Sequence, residues 1–459
     1  MARLKRNSGV VTAQTLEDAR MDWRHFYIVI VSLMEQLTGA SMSTIVGIII
    51  PLLNMFMHPE ISSVVQGLMG ATGLTAIAIG SLVVGRLMDR YGYLRFFRLC
   101  AVMEIAGSVL ILLFADVVTI CVGLFVAGLG IGGGYCLDSA YISELMPDKW
   151  RNFMVGVAKA SSALGFILPA IVTVLVLKIF PSAEVWRVVV SVMLFLGVLT
   201  LFMRLRWAES PAWLLTKGRI ADAQKAARVF FGSSVEISAD NVDVNNVNVK
   251  RNVSLRAFFT GKNVLKVIYT GIPWACEGIG VYGIGVFLPV LIMALGLDHS
   301  GAEGIGKVIK SVELTAVVNF CILPGFIIGL LVMNRMRKRT MLWGGFLGSS
   351  LGLALLLCAY CFSWPMWVSV LGFMLFEVML NAGPHLVTYI IPTEVYDVDD
   401  RGLGNGVAGF LGKLGAILGV FFMPVWLKSG GIVLVLEITI GVMIAGGIIG
   451  FVFGRYVKH

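Results

Sequence analysis

Charged residues are scarce in this sequence. Only 14% of its 459 residues are Asp, Glu, Lys or Arg, whereas 58% are hydrophobic, and the mean hydropathy is +0.89. Soluble domains carry about 25% charged residues, and a soluble core could not enclose this much apolar surface. The composition therefore excludes an ordinary soluble protein and indicates an integral membrane protein whose solvent is the lipid bilayer.

Motifs of catalysis and nucleotide binding are also lacking. The sequence contains no GxxxxGK[ST] loop, no HExxH pair and no convincing Ser/His/Asp set. The match of Gly128-x-Gly130-x-x-Gly133 to a dinucleotide fingerprint lies inside an apolar run, where small residues pack helices together. We therefore expect no enzyme activity, no catalytic residue, no ATP site, no cofactor and no metal.

The net charge of +9 does not indicate a nucleic-acid partner. The basic residues form short clusters between apolar runs, which is the pattern of cytoplasmic loops in membrane proteins. The seven cysteines lie within or beside apolar runs, where packing is their usual role. The first 25 residues are polar and show no cleavable signal, so we expect a cytoplasmic tail.

Twelve apolar runs are long enough to cross about 30 Å of hydrocarbon. They lie at 26–54, 61–84, 97–115, 117–142, 152–178, 185–205, 264–293, 305–333, 340–362, 366–392, 403–427 and 431–454. Six runs precede and six follow a polar insert, so both termini lie on one side, and the basic clusters place that side in the cytoplasm. The predicted divisions are a tail at 1–25, a six-helix bundle at 26–207, a cytoplasmic linker with surface helices at 208–262, a second six-helix bundle at 263–454 and a tail at 455–459.

The two halves of the chain repeat one charged corner. Glu144 and Arg151 stand seven residues apart, and Glu394 and Arg401 repeat that spacing 250 positions later. Internal duplication in a chain of apolar runs is typical of secondary transporters.

Several corner motifs carry a resemblance to a known family. The stretch Gly85-Arg-Leu-Met-Asp89-Arg90-Tyr91-Gly92 resembles the signature between the second and third helices of the major facilitator superfamily. Together with Glu-Ser-Pro-Ala-Trp at 209–213 and Pro-Thr-Glu at 392–394, it is similar to the sugar-porter and metabolite:proton symporter branch. The resemblance implies an all-α fold of twelve transmembrane helices in two pseudo-symmetric six-helix bundles, which rock around a central cavity. Leu94 stands where the motif usually has a basic residue. In the copy of the motif in the second half, Asn334 stands where the acidic residue would be.

The same resemblance implies a cytoplasmic gate in which charged corners latch the helix ends. Its predicted members are Gly85, Asp89, Arg90, Gly92, Glu144, Arg151, Glu394 and Arg401.

A second resemblance, to phosphate:proton symporters, lies in the second half. It is carried by Asn381-Ala-Gly383-Pro384 and by Trp274 and Tyr282, which are eight residues apart. That family has a carboxylate midway between the aromatic pair, where this chain has Gly278, with Glu277 beside it.

Ionisable residues within apolar runs cost several kcal/mol to bury and are functional candidates for that reason. Glu277 lies near the middle of its run and shares a helix face with Trp274, so we predict that it carries a coupled proton. Glu35 and Asp138 are further candidates for proton coupling, with helix-to-helix hydrogen bonding as the alternative.

The predicted substrate-binding residues surround Glu277. Lys159 would attract an anionic substrate or pair with Asp138 if it points inward, and would otherwise reach for the interface. His385 follows Pro384, where an unwound backbone would suit a binding site, although packing is an equal alternative. The full set is Trp274, Glu277, Tyr282, Asn381, His385 and Lys159.

The sequence thus predicts a multi-pass plasma-membrane transporter, active as a monomer, that moves a sugar, sugar acid or organic anion in symport with protons. Its expected partners are a small-molecule substrate, the proton and the lipid bilayer. The alternatives are an inorganic phosphate:proton symporter and a non-transporting membrane sensor of the same fold.

Overall fold

The computed structural model describes residues 5–7, 10–12, 23–55, 57, 60–146, 148–205, 207–231, 259, 262–296, 304–396 and 401–455. For some residues inside helices, including Asp89, Glu144, Arg151 and Arg401, only the backbone is described. Most of the predicted linker lies outside these ranges.

Helices make up nearly all of the described chain. In chain order they are α1 (Trp23–Asn54), α2 (Ser63–Tyr91), α3 (Leu94–Leu113), α4 (Val117–Leu145), α5 (Asp148–Ala160), α6 (Ser162–Ile179), α7 (Trp186–Leu205), α8 (Pro211–Thr216), α9 (Ile220–Phe231), α10 (Lys262–Gly278), α11 (Gly285–Ala294), α12 (Ile305–Phe320), α13 (Ile322–Val332), α14 (Lys338–Cys361), α15 (Met366–Ala382), α16 (Pro384–Val395) and α17 (Arg401–Phe453). A 3₁₀ turn at Ala183–Val185 precedes α7, and a π-helical turn at Ile279–Ile284 joins α10 to α11. A short antiparallel hairpin of β1 (Lys5–Asn7) and β2 (Val10–Thr12), which the sequence did not predict, lies in the N-terminal tail.

The prediction of twelve membrane spans is confirmed. The described helices form eleven stretches that are long and apolar enough to cross a membrane, and the last stretch, Gly404–Phe453, contains two spans. These meet at Gly431, whose φ of 67° favours glycine because it has no Cβ. Gly415 packs on Ala275 and Gly446 on Cys276, so the two parts of α17 fold back beside the same stretch of α10.

Three of the described spans change from one helix to the next near their middles; Ser161 and Cys321 keep helical φ and ψ there, whereas Gly383 does not. The fifth span changes from α5 to α6 at Ser161, the eighth from α12 to α13 at Cys321, and the tenth from α15 to α16 at Gly383. The last break has a clear cause, because Pro384 has no N–H to continue the hydrogen-bond ladder of α15. Breaks of this kind free backbone groups for binding only where protein or a cavity surrounds them.

Glycines bring neighbouring helices into close contact. Gly128 on α4 packs on Gly73 of α2, whereas Gly130 and Gly133 pack on Cys100 of α3. The predicted packing role of this glycine run is thereby confirmed. Large apolar side chains lie on the outside of the bundle, as they do in proteins that face lipid; Phe202 is 67% exposed and Leu331 69%.

The two halves meet closely at the end of the bundle remote from Trp23. There Gly47 of α1 packs on Val286 of α11, and the Asn319 amide donates a hydrogen bond of 3.0 Å to the Phe166 carbonyl across the halves. Lys178 and Glu313 add an ion pair of 2.7 Å between α6 and α12. Contacts between the halves at this end close one entrance to the space between them.

The described part of the insert after α7 contains two helices, α8 and α9. Ser210 caps α8 by accepting a hydrogen bond of 3.1 Å from the Trp213 N–H. The buried face of α9 ends in Phe230, which packs against Tyr141 and Trp207 beneath the first bundle. These aromatic contacts fix the insert to the first half.

Candidate functional site

The seventh span places Glu277 at the centre of the molecule. Glu277 lies in the last turn of α10, and the π-helical turn that follows carries Tyr282. π-Helical turns are rare and occur frequently at functional sites. A side chain at Gly278 would collide with Gly412 and Ala416 of α17, so the acid of this span stands at the neighbouring position, with its side chain buried.

A line of polar side chains runs through the break of the tenth span toward Glu277. The Asn381 amide donates to the Glu377 backbone carbonyl at 2.8 Å and to the Glu377 carboxyl at 3.0 Å. Asn381 Oδ1 lies 2.7 Å from His385 Nδ1, and His385 Nε2 lies 3.7 Å from Glu277 Oε1. All four side chains are buried. The structure thus connects two acids of the second half through an amide and an imidazole.

Two lysines, one from each half, lie near this line. Lys159 comes from the last turn of α5, and the Lys413 ammonium lies 5.3 Å from the Tyr135 ring centre and 5.2 Å from that of Tyr282. Both lysines interact electrostatically with Glu277, although neither forms an ion pair with it within 4.0 Å in the described chain. Lys159 therefore points inward, to Glu277 rather than to Asp138.

A narrow cleft between the halves opens beside Lys159. It borders α1, α4, α5 and α16, and its lining is mixed polar and apolar: Ser32, Gln36, Tyr135, Asp138, Ile142, Val155, Ala158, Lys159 and Tyr389. The Trp274 ring packs edge-on against Tyr389, 5.9 Å between centroids, at the wall of this region. The arrangement offers cationic groups, hydroxyls and aromatic faces to a small polar molecule.

The first half contains a separate buried charge cluster. The Arg204 guanidinium of α7 donates to Glu35 at 2.5 Å, to Asp138 at 3.0 Å and to the Phe97 carbonyl at 3.3 Å. It also lies 4.5 Å from the centre of the Phe97 ring. Glu35, Asp138 and Arg204 hold α1, α4 and α7 together, which is the alternative role that the sequence analysis left open for the two acids.

A third acid, Glu104 of α3, completes this cluster. It is fully buried beside the Glu35 carboxyl, and within the described part of the chain neither of its oxygens accepts a hydrogen bond from an N–H group or a hydroxyl. A hydrogen bond between Glu104 and Glu35 needs a proton on one of the two carboxyls. A charged carboxylate without a partner costs several kcal/mol in such a place. The cluster therefore favours a neutral carboxylic acid at Glu104.

The structure separates the predicted site residues into two groups. Trp274, Glu277, Tyr282, Asn381, His385 and Lys159 lie in or around the central site, while Glu35 and Asp138 belong to the Arg204 cluster. Sequence reasoning missed Lys413 and Arg204. Arg204, at the end of its run, has the position of an interfacial residue.

The predicted gate is described only in part. Glu394 forms an ion pair of 2.8 Å with Lys338. The Arg90 guanidinium lies over the Tyr91 ring, 5.1 Å from the ring centre. Gly92 has a φ of 96°, which suits glycine, and ends α2. The side chains of the four remaining charged members lie outside the description.

Glu209, which was not predicted as part of the gate, binds the backbone at the corner between α2 and α3. Glu209 accepts hydrogen bonds from the backbone N–H groups of Tyr93 (2.8 Å) and Leu94 (3.1 Å), at the start of α3. A carboxylate at a helix N-terminus is favourable because the exposed N–H groups and the helix dipole are positive there. The contact fastens the start of the insert to the corner between α2 and α3.

Comparisons with known proteins agree with this architecture. The family model described as "Sugar (and other) transporter" matches residues 26–458. The inner membrane metabolite transport protein YgcS of Escherichia coli (strain K12) is 24% identical over 444 residues, which cover 96% of this chain and 94% of that protein. The putative inorganic phosphate transporter 1-13 of Oryza sativa subsp. japonica is 23% identical over 442 residues, covering 90% and 86% respectively.

Solved structures show the same fold. The inward open conformation of the xylose transporter XylE from E. coli matches with a TM-score of 0.74 at 16% sequence identity, covering 94% of this chain and 96% of that one. The partially occluded inward open conformation of the same transporter matches with a TM-score of 0.72, covering 95% and 97%. The predicted fold of two six-helix bundles is confirmed.

Proposed function

Because this chain belongs to the sugar (and other) transporter family, we propose that it carries a small organic anion, such as a sugar acid, across the membrane in symport with a proton. The observation that carries this proposal is the placement of Lys159 and Lys413 around a single carboxyl, Glu277, at the centre of the molecule. A neutral sugar would leave two half-buried ammonium groups with one carboxylate near them, whereas an anion would balance the second.

The charges of this site also supply a coupling mechanism. With both lysines protonated and Glu277 ionised, these three groups carry a net charge of +1 in the empty site. Binding a proton at Glu277 raises the charge to +2, which strengthens attraction for an anion, and binding a monoanion returns it to +1. Proton and anion thus favour each other's binding, and neither lowers the charge below its starting value.

Transport follows from movement of the two halves around this midplane site. Lys159 belongs to the first half and Lys413 to the second, so an anion held by both would bridge the halves and favour their closure around it. The contacts at the end remote from Trp23, including the Lys178–Glu313 ion pair, would break when that entrance opens. The gate corners, from Asp89 and Arg90 to Glu144, Arg151, Glu394 and Arg401, would hold the other end closed in that state.

The proposed setting is the plasma membrane, with both termini and residues 208–262 in the cytoplasm and a monomer as the working unit. Basic residues on the side of the insert support this orientation. The proposed functional divisions remain the two six-helix bundles at 26–207 and 263–454.

A ligand-stabilisation screen on the purified protein tests the substrate class. D-glucuronate and D-glucose form a matched pair, since they differ only in a carboxylate at C6. We expect glucuronate, or another sugar acid or small carboxylate in the screen, to raise the melting temperature and glucose to leave it unchanged. Stabilisation by neutral sugars alone would overturn the anion proposal.

Inorganic phosphate is the second candidate, and the rice relative named above favours it. Phosphate is included in the same screen, and stabilisation by phosphate without any carboxylate would select it. Uptake of the stabilising compound into proteoliposomes then separates a transporter from a sensor of the same fold, because a sensor binds without accumulating.

A further inference from the structure

We propose that His385 and Glu277 hold one proton between them, and that the neighbouring amide of Asn381 enforces this sharing. The statement that this proton is the coupled one rests on the proposed symport. The shared proton itself is a property of the protein without substrate.

The orientation of the Asn381 amide is fixed by its partners. A backbone carbonyl can only accept a hydrogen bond, and the Glu377 carbonyl lies 2.8 Å from Asn381 Nδ2. The amide oxygen must therefore face the other way, toward His385 Nδ1 at 2.7 Å. Because that oxygen can only accept, Nδ1 must carry a hydrogen.

This assignment decides what the other ring nitrogen can do. In a neutral imidazole with hydrogen on Nδ1, Nε2 is an acceptor. Within the described part of the chain His385 Nε2 has no hydrogen-bond partner. The His385 side chain is 2% exposed, and Nε2 faces Glu277 Oε1 at 3.7 Å. An ionised Glu277 would thus present a second acceptor to a buried acceptor, which is unfavourable for both groups.

One proton removes this conflict. On Glu277 it makes an O–H that can donate to Nε2 after an approach of less than about 1 Å, and on His385 it makes an imidazolium beside a carboxylate. Transfer between the two atoms leaves the charge of the pair at zero. When the proton leaves to water, the pair carries −1.

The other groups around Glu277 do not take the place of His385 as the acceptor for its proton. Among the described residues, the charged and titratable side chains around the pair are Lys159 from α5, Lys413 from α17, Glu377 from α15, Tyr282 from the π-helical turn, and Tyr135 and Tyr389 from α4 and α16. The His385 ring also packs against the Phe326 ring, with 5.2 Å between the ring centroids. Both lysines are donors that favour an ionised Glu277, so His385 is the group that favours proton retention.

The substitution His385→Asn tests the proposal with little disturbance. Its amide N–H can replace Nδ1–H as the donor to Asn381, while the acceptor at Nε2 is removed. We expect the pH midpoint for protonation of Glu277 to fall by about one unit, a tenfold loss of proton affinity. Infrared pH titration of the purified protein without substrate measures this midpoint, and Glu277→Gln identifies the carboxyl band by removing it.

Two further variants separate the shared proton from a general packing effect. Asn381→Leu frees the ring to place its hydrogen on Nε2 and donate to an ionised Glu277, so the midpoint should also fall. Thr388→Val removes a buried hydroxyl one turn along α16, which in the described chain donates to the Pro384 carbonyl, and should leave the midpoint unchanged. An unchanged midpoint in His385→Asn would overturn the shared proton.

The outcome is independent of the proposed function. If no anion is transported but the midpoint falls, the shared proton stands and the symport fails. If uptake is proton-driven and the midpoint is unchanged, symport stands and Glu277 holds its proton without His385.

Discussion

The two halves of this molecule bury their charges in different ways. In the first half, Arg204 contacts Glu35 and Asp138 directly, at 2.5 and 3.0 Å. In the second, Glu277 lies near Lys159 and Lys413 without a contact ion pair in the described chain, and Lys159 comes from the other half. A cation bound by its own acids stabilises a fold, whereas cations left short of an anion at the boundary between moving halves can bind one.

The comparison is tested most severely by Arg204→Met. Removing the guanidinium leaves Glu35 and Asp138 buried without their partner, which typically costs about 3–5 kcal/mol. We expect a large fall in folded yield and melting temperature, measured by size-exclusion chromatography and thermal denaturation in detergent. Lys413→Met, the loss of a half-buried cation in the second half, is the control and should melt close to the wild type. Equal losses of stability in the two variants would erase the distinction between the halves.

The next largest effect is expected from Glu277→Gln. The amide keeps the shape of the side chain but cannot exchange a proton, so uptake driven by a pH gradient should be abolished. Counterflow exchange of the same substrate in proteoliposomes should persist because it needs no net proton movement. Glu437→Gln makes the same change on an exposed face of the twelfth span and should preserve both activities. Gradient-driven accumulation that survives in Glu277→Gln would move the proton to Asp138 or Glu35, in the first half.

Replacing either central lysine sharpens the functional side of the comparison. Lys159→Gln and Lys413→Gln each remove one of the charges that attract an anion, and each should weaken binding of the stabilising anion by about tenfold or more, which corresponds to about 1.4 kcal/mol. Isothermal titration measures the loss. Lys428→Gln, on the exposed end of the eleventh span, is the charge-matched control. An affinity that falls equally in the control would show that overall charge, rather than the site, attracts the ligand.

The smallest effect is expected from Glu104→Gln. If this acid is neutral in the first-half cluster, its amide analogue should lower stability by no more than about 1 kcal/mol and should leave gradient-driven uptake intact. Thermal denaturation and proteoliposome uptake measure the two quantities. A loss of coupling in this variant would show that the first half also exchanges a proton, against the division drawn above.

The fold followed closely from sequence patterns because the bilayer imposes strong rules. Each span needs about 20 apolar residues with its backbone hydrogen bonds satisfied internally, and these conditions appear directly as runs between polar segments. The sequence therefore placed all twelve spans, and the depth of Glu277 within its run identified it as a candidate. The turns at Ser161 and Cys321, where the backbone keeps helical φ and ψ, were not predicted, since neither residue breaks a helix by its own chemistry.

The partners of the ionisable residues required the tertiary structure. Glu35, Asp138 and Arg204 are separated by 66 to 169 positions in the chain, and no local period links them. The sequence allowed Lys159 to reach the membrane interface, to pair with Asp138 or to attract a substrate. The packing of α5 against the second half places it toward Glu277. Residue order and hydropathy determined the spans, because a helix in lipid depends mainly on its own sequence. Which buried charges meet depends on how the helices rotate and cross, and that was decided only when glycines such as Gly278 brought their backbones into contact.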